Sequence, residues 1–300
     1  MEGESKETVR KAVGLRLLDQ HVRVEAKDCG FLRGLEKCFE AHPPGPHGDK
    51  LSDIELRVLL EDEGNASGKK RRRWRLTTDP REALRLASVS VSHGVMQLVS
   101  ELNRWAVATT VQHYVFHAGA VARQERAILL PGGPFSGKTT VTAGLVQRGF
   151  ELLSDEVGAI AVGSGHLVGY PRALSIRHDV LPLLGLQGSG GWSPPDSDSR
   201  MFGVGELAGT RAPSGALPAL IVVPQFLKGE PTRLEELRPG PAVLALMEAS
   251  CSQARFKVRG LDLVVDLARR LPCHRLVYSD LSAALDRIEE AFARASRGVS

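Results

Sequence analysis

The chain has 300 residues, of which 42% are hydrophobic, enough for the cores of one large or two ordinary globular domains. No apolar stretch approaches the ~20 residues of a membrane span, and residues 1–6 lack the apolar core of a signal peptide, so we expect a cytoplasmic protein with no membrane partner. The four cysteines are scattered without a C-x-x-C pair, which argues against a zinc site or a disulfide framework.

The first 80 residues predict a small α+β domain. Gln20–Ala26 alternates apolar and polar residues as a half-buried strand does, and Cys29–Ala41 has apolar residues at helical spacing. Asp53–Leu60 and Trp74–Thr77 have the composition of two further strands. Residues 81–300 remain for a larger domain.

A basic run, Lys69–Arg73, contributes to the net charge of +4 and raises the question of nucleic-acid binding. It lies between the Gly- and Ser-containing segment Gly64–Gly68 and a short strand. A solvated hairpin turn accounts for such a run without a ligand. We therefore predict a turn here and no nucleic-acid partner.

Three elements lead into the centre of the chain. The segment Glu82–Thr110 is predicted to be helical, because apolar residues recur on one face between Val95 and Trp105. Val111–Val121 is predicted to be a buried strand, and Ala127–Leu130 a second one. The second strand runs directly into a glycine-rich segment.

This segment reads GGPFSGKT, from Gly132 to Thr139, and a helical pattern follows it. A strand, a glycine loop and a helix in this order are typical of a phosphate-binding P-loop, whose backbone N–H groups surround the phosphates. Lys138 is expected to reach the β and γ oxygens of ATP, and the Thr139 hydroxyl to bind Mg²⁺. The loop residues expected to hold the nucleotide are Gly132, Gly133, Pro134, Phe135, Ser136, Gly137, Lys138, Thr139 and Thr140.

Two adjacent acids, Asp155 and Glu156, follow the short strand predicted at Phe150–Ser154. A parallel strand beside the P-loop strand would deliver its carboxyl end to the same rim of the sheet. One acid would then accept a proton from an attacking hydroxyl while the other holds Mg²⁺. Together with Thr139, both acids are candidate metal ligands.

The rest of the chain predicts a loop followed by regular elements. Leu186–Arg200 is rich in Gly, Ser and Pro, and we predict a mobile lid that forms no regular element. Later patterns predict strands at Leu217–Phe226 and Arg275–Tyr278, and helices at Pro241–Ala249, Leu261–Leu271 and Leu281–Ala295.

Four segments occur in the order seen in the HPr kinase/phosphorylase superfamily: HAGAV at 117–121, LLPGGPFSGKT at 129–139, GFELLSDE at 149–156 and YPRALSIR at 170–177. Over about residues 85–295 the chain resembles this superfamily, most closely the shorter HPr-kinase-related proteins, some of which accompany peptide natural-product biosynthesis. The resemblance implies an α/β fold in which residues 81–300 form a P-loop core similar to phosphoenolpyruvate carboxykinase. Residues 1–80 then correspond to a smaller, variable N-terminal α+β domain.

The resemblance also implies catalytic roles. The first acid of such proteins is the base toward a serine hydroxyl, the second helps hold the metal, and a histidine before the P-loop lies beside the reacting phosphate. These roles fall on Asp155, Glu156 and His117, with Lys138 as the phosphate-binding cation. On the sequence alone, a histidine at this position is more often a strand-end residue bonded to backbone groups, and it is the resemblance that makes a catalytic role equally good.

Two positions depart from the family pattern. Ser175 stands where bifunctional members carry a metal-binding Glu, which puts phosphorylase activity in doubt, and Glu156 stands where classical members have Asp. Arg177 remains available to neutralise phosphate charge at the nucleotide site, and Arg172 is a weaker candidate.

These features lead to the expectation of an ATP- and Mg²⁺-dependent kinase acting on a hydroxyl, with a serine of a peptide or small protein as the acceptor. Two alternatives stay open at this point. One is an ATP-binding regulatory module without transfer activity, and the other is a kinase for a small-molecule alcohol or amino acid. The resemblance also leaves a homo-oligomer open, since classical HPr kinases are hexameric.

Overall fold

The computed structural model describes residues 11–26, 28–39, 54–64, 70–79, 82–86, 90–193, 197–212 and 215–297. They form a mixed α/β structure that divides into two compact units, the first built from residues up to Ala106 and the second mainly from Val107 onward. Over these described ranges, every helix is too short or too polar to cross a membrane.

The first unit contains a five-stranded sheet. Its elements are β1 (Lys11–Leu17), β2 (Gln20–Ala26), α1 (Cys29–Cys38), β3 (Ile54–Gly64), β4 (Lys70–Asp79), β5 (Glu82–Leu86) and most of α2 (Val91–Thr109). The strands lie in sequence order, with β2 and β3 parallel and the other neighbours antiparallel. Helix α1 connects the parallel pair and begins after Asp28, whose carboxylate accepts the N–H groups of Gly30 and Phe31.

Two predictions for this unit are wrong in part. The predicted hairpin is present, since β3 and β4 are antiparallel neighbours, but Lys70–Arg73 belong to β4 and not to the turn, and Arg71, Arg72 and Arg73 lie opposite Glu63, Asp62 and Glu61 on β3. Backbone pairing with β3 decides this, and the basic run by itself carries little information about it. Lys69 lies outside the described residues.

The second is the helix over Glu82–Thr110, which is confirmed from Val91 to Thr109 as α2 and is wrong only at its start. Glu82–Leu86 is strand β5, paired with β4, and helix α2 begins only at Val91. Ser90 accepts the N–H of His93 through its hydroxyl at 3.2 Å, an N-cap bond that marks the start of the helix. The sequence prediction missed the strand because its pairing partner is another segment of the chain.

Among its described residues, the second unit contains an eight-stranded sheet and four α-helices besides the end of α2. Its elements are β6 (His113–Arg123), β7 (Arg126–Pro131), α3 (Lys138–Gln147), β8 (Glu151–Ser154), β9 (Val157–Ala161), β10 (Leu167–Val168), β11 (Leu174–Arg177), β12 (Ser199–Phe202), a short 3-10 helix (Val204–Leu207), β13 (Leu217–Phe226), β14 (Arg233–Glu236), α4 (Pro239–Ala249), α5 (Gln253–Arg270), β15 (Cys273–Tyr278) and α6 (Leu281–Arg297). The strand order is β10-β9-β6-β7-β13-β15-β14, with β8 also paired to β6, and β11 and β12 form a separate pair.

Both faces of the large sheet are covered. Along β7, Ile128 and Leu130 pack into a core with α3 and α6, whereas Ala127 and Leu129 pack into a second core with α4 and α5. Successive side chains of a strand point to opposite faces, so a strand that is apolar throughout requires a helical layer on each side. Strand β7, which leads into the glycine-rich loop, therefore lies at the centre of a three-layer unit.

The strand before the two acids pairs differently from the prediction. Strand β8 is antiparallel to β6, and β6 is antiparallel to β7, so β6 lies between β8 and β7, the strand that leads into the glycine-rich loop. Since two reversals restore the direction, β8 and β7 still run the same way. Asp155, which follows β8, therefore lies at about the same level of the sheet as Gly132, which follows β7, since Ala118 of β6 pairs with Pro131 and donates its N–H to the Glu156 carbonyl.

The prediction that Leu186–Arg200 forms no regular element is also wrong for part of this segment. Leu186 is buried in the core beside α3, Trp192 forms a β-bridge with Met201, and Arg200 belongs to β12. Pro194–Asp196 lie outside the described residues. The buried Leu186 and the backbone pairing of Trp192 with Met201 supply the order that the Gly and Ser content concealed.

Candidate functional site

The glycine-rich loop connects β7 to α3 across the rim of the sheet. Two backbone hydrogen bonds hold it in place: the N–H of Gly132 donates to the His117 carbonyl at 3.3 Å, and the N–H of Phe226 donates to the Ser136 carbonyl at 3.0 Å. Helix α3 begins at Lys138, so its first N–H groups and the positive end of its dipole face the loop. This arrangement suits an anionic group.

The backbone at Gly137 leaves no room for a side chain. Its φ is +84°, in the left-handed region, and a Cβ here would overlap the Tyr278 hydroxyl. That hydroxyl donates to the Gly137 carbonyl at 3.1 Å, which fixes the loop against β15. Gly133 is different, because a Cβ there would meet no atom within 4 Å.

We therefore expect Gly137→Ala to lower the free energy of unfolding by about 1–3 kcal/mol, because it combines backbone strain with a steric clash. Gly133→Ala is the matched control and should leave it nearly unchanged, since the same methyl group enters open space. Chemical denaturation of both variants without nucleotide checks the difference. Equal stability of the two variants would show that the loop relaxes around the added methyl group.

Lys138 is buried at the start of α3, with its Nζ 3.3 Å from the Nε2 of His117. Burial lowers the pKa of Lys138, the nearby Asp155 carboxylate acts in the opposite direction, and the Arg172 guanidinium lowers it further. A buried ammonium group beside the loop N–H groups is a strong anion-binding element.

His117 lies on β6 and is neutral near pH 7. Its pKa is lowered to about 4, first by burial and then by the charges of Lys138 and Arg172. An ammonium group can only donate, so Nε2 must accept the hydrogen bond from Lys138 and the ring proton resides on Nδ1. The histidine thus orients the Lys138 side chain without adding a charge.

The lowered pKa of His117 predicts a pH dependence of stability. Between the ordinary value of 6.5 and about 4, the unfolded chain binds more protons at this residue than the folded chain does. The contribution of His117 therefore falls as the pH is lowered through this window, and the loss is complete below about pH 4. We expect His117→Gln to lose less stability than the wild type between pH 7 and pH 5, as measured by urea denaturation. Parallel losses in the two proteins would contradict a neutral, buried His117.

Asp155 lies at the end of β8 and faces the loop. Its Oδ2 accepts a hydrogen bond from the Thr139 hydroxyl at 3.2 Å. Burial raises the pKa of Asp155, while the charges of Lys138 and Arg172, the Thr139 hydrogen bond and a backbone hydrogen bond from Ser175 act in the opposite direction. Among the described groups, no hydrogen-bond partner contacts its buried Oδ1. A buried carboxylate oxygen left unpaired is costly, so this atom is suited to a ligand or a metal ion.

Glu156 forms an ion pair with Arg172, and Arg172 is the more buried of the two side chains. The Arg211 guanidinium holds the backbone around Arg172 by donating to the carbonyls of Tyr170 at 3.0 Å and Arg172 at 2.8 Å. The charge of Arg172 lowers the pKa values of His117, Lys138 and Asp155. The sequence analysis ranked Arg172 below Arg177, although Arg172 lies within the YPR segment that carries the resemblance. The metal role of Glu156 stays a prediction.

Arg177 lies on β11 and is already paired. Its Nε and Nη2 donate to the two carboxylate oxygens of Asp179 at 3.0 and 2.8 Å. Its guanidinium carbon lies 5.2 Å from the centre of the Phe135 ring. Both side chains line a cleft of about 530 Å³, which Thr140 and the rest of the loop after Gly132 also line.

The Thr139 hydroxyl and the Asp155 carboxylate offer only oxygen atoms as possible metal ligands. Mg²⁺ is usually held by one or two carboxylates together with water and substrate phosphates, so this pair fits a magnesium ion that arrives with a nucleotide. Lys138, with its amine beside His117, would be placed to meet the phosphates of that nucleotide. No protein-family model matches the chain, and no curated protein matches it either.

Proposed function

We propose that the chain is an ATP- and Mg²⁺-dependent kinase, related to the HPr kinases, that transfers the γ-phosphoryl group to a hydroxyl. One observation carries this proposal: the buried carboxylate of Asp155 lies 3.2 Å from the Thr139 hydroxyl of the glycine loop. A base and a phosphate-binding loop within hydrogen-bond reach are the two parts that hydroxyl phosphorylation requires.

Binding would be the task of the loop and the start of α3. Backbone N–H groups between Gly132 and Lys138 surround the phosphates, and the Lys138 ammonium neutralises the β and γ oxygens. The neutral His117 ring, 3.3 Å from Lys138, keeps the ammonium group directed into the site. The Arg172 guanidinium, which is paired with Glu156, lies in the same buried cluster and lowers the pKa values of Lys138 and Asp155.

Transfer would depend on Asp155. The acceptor oxygen attacks the γ-phosphorus, the bond from this phosphorus to the β-bridging oxygen breaks, ADP leaves, and Asp155 takes the hydroxyl proton. Burial raises the pKa of Asp155 above its ordinary value, which brings it closer to that required of a general base. Thr139 would hold Mg²⁺ together with the nucleotide phosphates, and the ion would supply charge neutralisation during transfer, which leaves the Asp155 carboxylate to act as the base.

The acceptor class rests on the motif resemblance. The order of the four HPr-kinase-like segments favours a serine of a peptide or small protein, with a small-molecule alcohol as the alternative. Loops outside the P-loop choose the acceptor in such folds, so the core alone serves either class.

Incubation with labelled ATP and Mg²⁺ against serine-containing peptides and free serine, followed by mass analysis, tests the proposal. We expect a gain of one phosphoryl group on a peptide, and labelling of free serine alone would assign a small-molecule kinase. Saturable ATP binding without labelling of any acceptor would favour a regulatory module.

A second candidate, a nucleotide-binding module without transfer activity, is favoured by one observation. Ser175 occupies the position of a metal-binding Glu, and its hydroxyl donates to the Ser199 hydroxyl at 3.1 Å within the β11–β12 pair. This position therefore offers no carboxylate to a metal ion. Retention of cellular function by Asp155→Asn would support the module over the kinase.

A further inference from the structure

The cleft beside the P-loop has an apolar rim that phosphate binding does not explain. Phe135 is 80% exposed, Leu183 is 53% exposed and Phe226 is 43% exposed, and all three line this cleft of about 530 Å³. Exposed apolar side chains grouped around a concave surface indicate a ligand with an apolar face.

Phe135 also adopts an unfavourable backbone conformation. Its φ is +62°, in the left-handed region that non-glycine residues rarely occupy. The loop thus holds a large aromatic side chain in solvent at the cost of backbone strain. Strain of this kind is typical of residues that contact ligands.

Arg177 gives the Phe135 ring a planar partner. Its guanidinium lies over the ring at 5.2 Å, and the bidentate contact with Asp179 fixes its orientation. Because Asp179 already neutralises this cation, Arg177 is less suited to the phosphate role expected from the sequence. A flat, oriented guanidinium beside an aromatic ring is well suited to stacking on a planar ligand.

The position of the cleft indicates which part of a nucleotide it faces. The cleft is lined by the loop after Gly132, including Lys138, and extends along the start of α3 to Thr140, whereas in the described structure His117, Asp155 and Glu156 do not line it. The acids lie where the γ-phosphoryl group would react, so a cleft that lacks them opens toward the nucleoside end of a bound triphosphate.

We propose that Phe135 and Arg177 bind the nucleobase of the donor nucleotide by stacking, with Leu183 and Phe226 forming the apolar wall. This inference rests on the proposed triphosphate site and adds a residue-level role that phosphate binding does not require. Stacking contributes to affinity for the base and not for the phosphates, which separates the two claims.

Calorimetric titration of the full chain with MgATP and with magnesium tripolyphosphate tests the inference. The wild type should bind MgATP at least about fivefold more tightly than tripolyphosphate, as expected for one stacked base. Phe135→Ala should lose most of this difference without changing tripolyphosphate affinity. Phe135→Tyr should retain it, because the ring is kept and both substitutions carry the same backbone strain.

Two further variants sharpen the result. Leu244→Ala removes an apolar side chain that is 66% exposed on α4, outside the cleft, and should leave both affinities unchanged. Arg177→Lys should weaken MgATP alone if the guanidinium stacks on the base, and weakening of both ligands would overturn that role.

The outcomes separate this inference from the proposed function. Equal affinity of the wild type for both ligands, or an unchanged difference in Phe135→Ala, would overturn base stacking while the triphosphate site stands. A Phe135→Ala variant that keeps its MgATP affinity but has a raised KM for the acceptor would assign the rim to the acceptor and also overturn the inference. Absence of binding for both ligands would contradict the phosphate site itself.

Discussion

Asp155→Asn is expected to slow phosphoryl transfer by about 10²–10⁴-fold while MgATP binds almost as tightly as in the wild type. Asparagine has the same shape and can still accept the hydrogen bond from Thr139, which spans 3.2 Å in the wild type. It cannot take up the proton of an attacking hydroxyl. Single-turnover kinetics with saturating ATP, together with calorimetry of ATP binding, measures the two effects separately.

The matched control for this variant is Asp262→Asn, the same chemical change at an exposed position on α5. It should change neither transfer nor binding. If Asp155→Asn instead loses its MgATP affinity, the carboxylate acts in metal binding or in the structure of the loop, and another residue must act as the base.

Lys138→Ala is expected to reduce transfer by about 10³-fold or more and to weaken MgATP binding as well. The ammonium group is the buried cation at the start of α3, so its removal affects both the bound nucleotide and the charge that develops during transfer. Initial rates and binding isotherms on the purified variant check both effects. Lys37→Ala, which removes an exposed ammonium on α1, is the control and should behave as the wild type.

The same variant has a readout that is independent of activity. Lys138 is one of the causes that lower the pKa of His117 to about 4. Its removal should raise the pKa of His117 toward the ordinary value, which NMR titration of the ring can follow. An unchanged pKa, together with unchanged ATP affinity, would show that Lys138 does not point into the site.

The local parts of the fold were predictable from the sequence. The bounds of β13, Leu217–Phe226, agree with the prediction, and those of β7 and α6 differ by only a few residues. These elements have strong periodicity or lie beside glycine signals, both of which depend on neighbouring residues only.

Long-range pairing was less predictable. The neighbour of β8 is β6 and not the P-loop strand, and Glu82–Leu86 forms a strand because β4 lies alongside. Hydrogen bonding between distant segments decides both cases, and a local pattern carries little information about it. The predicted direction of β8, which brings Asp155 beside the glycine-rich loop, is nevertheless correct. Both β7 and β8 are antiparallel to β6, so they run the same way.

In the candidate site, too, the residues that belong to local motifs were predictable and the long-range contacts were not. Lys138, Thr139 and Asp155 could be named from a short motif and its spacing, and the structure brings Thr139 within hydrogen-bond reach of Asp155. The pairing of Arg172 with Glu156, and that of Arg177 with Asp179, were not foreseen. Ion pairs depend on side-chain directions, which the order of residues does not reveal.

Calorimetric titration of the purified chain with MgATP tests the central claim most directly, namely that the glycine loop and Lys138 bind a triphosphate. The account predicts saturable heat with one site per chain, and a marked loss of affinity in Lys138→Ala. A titration of the folded wild-type protein without saturable heat, for MgATP and for MgGTP alike, would contradict it.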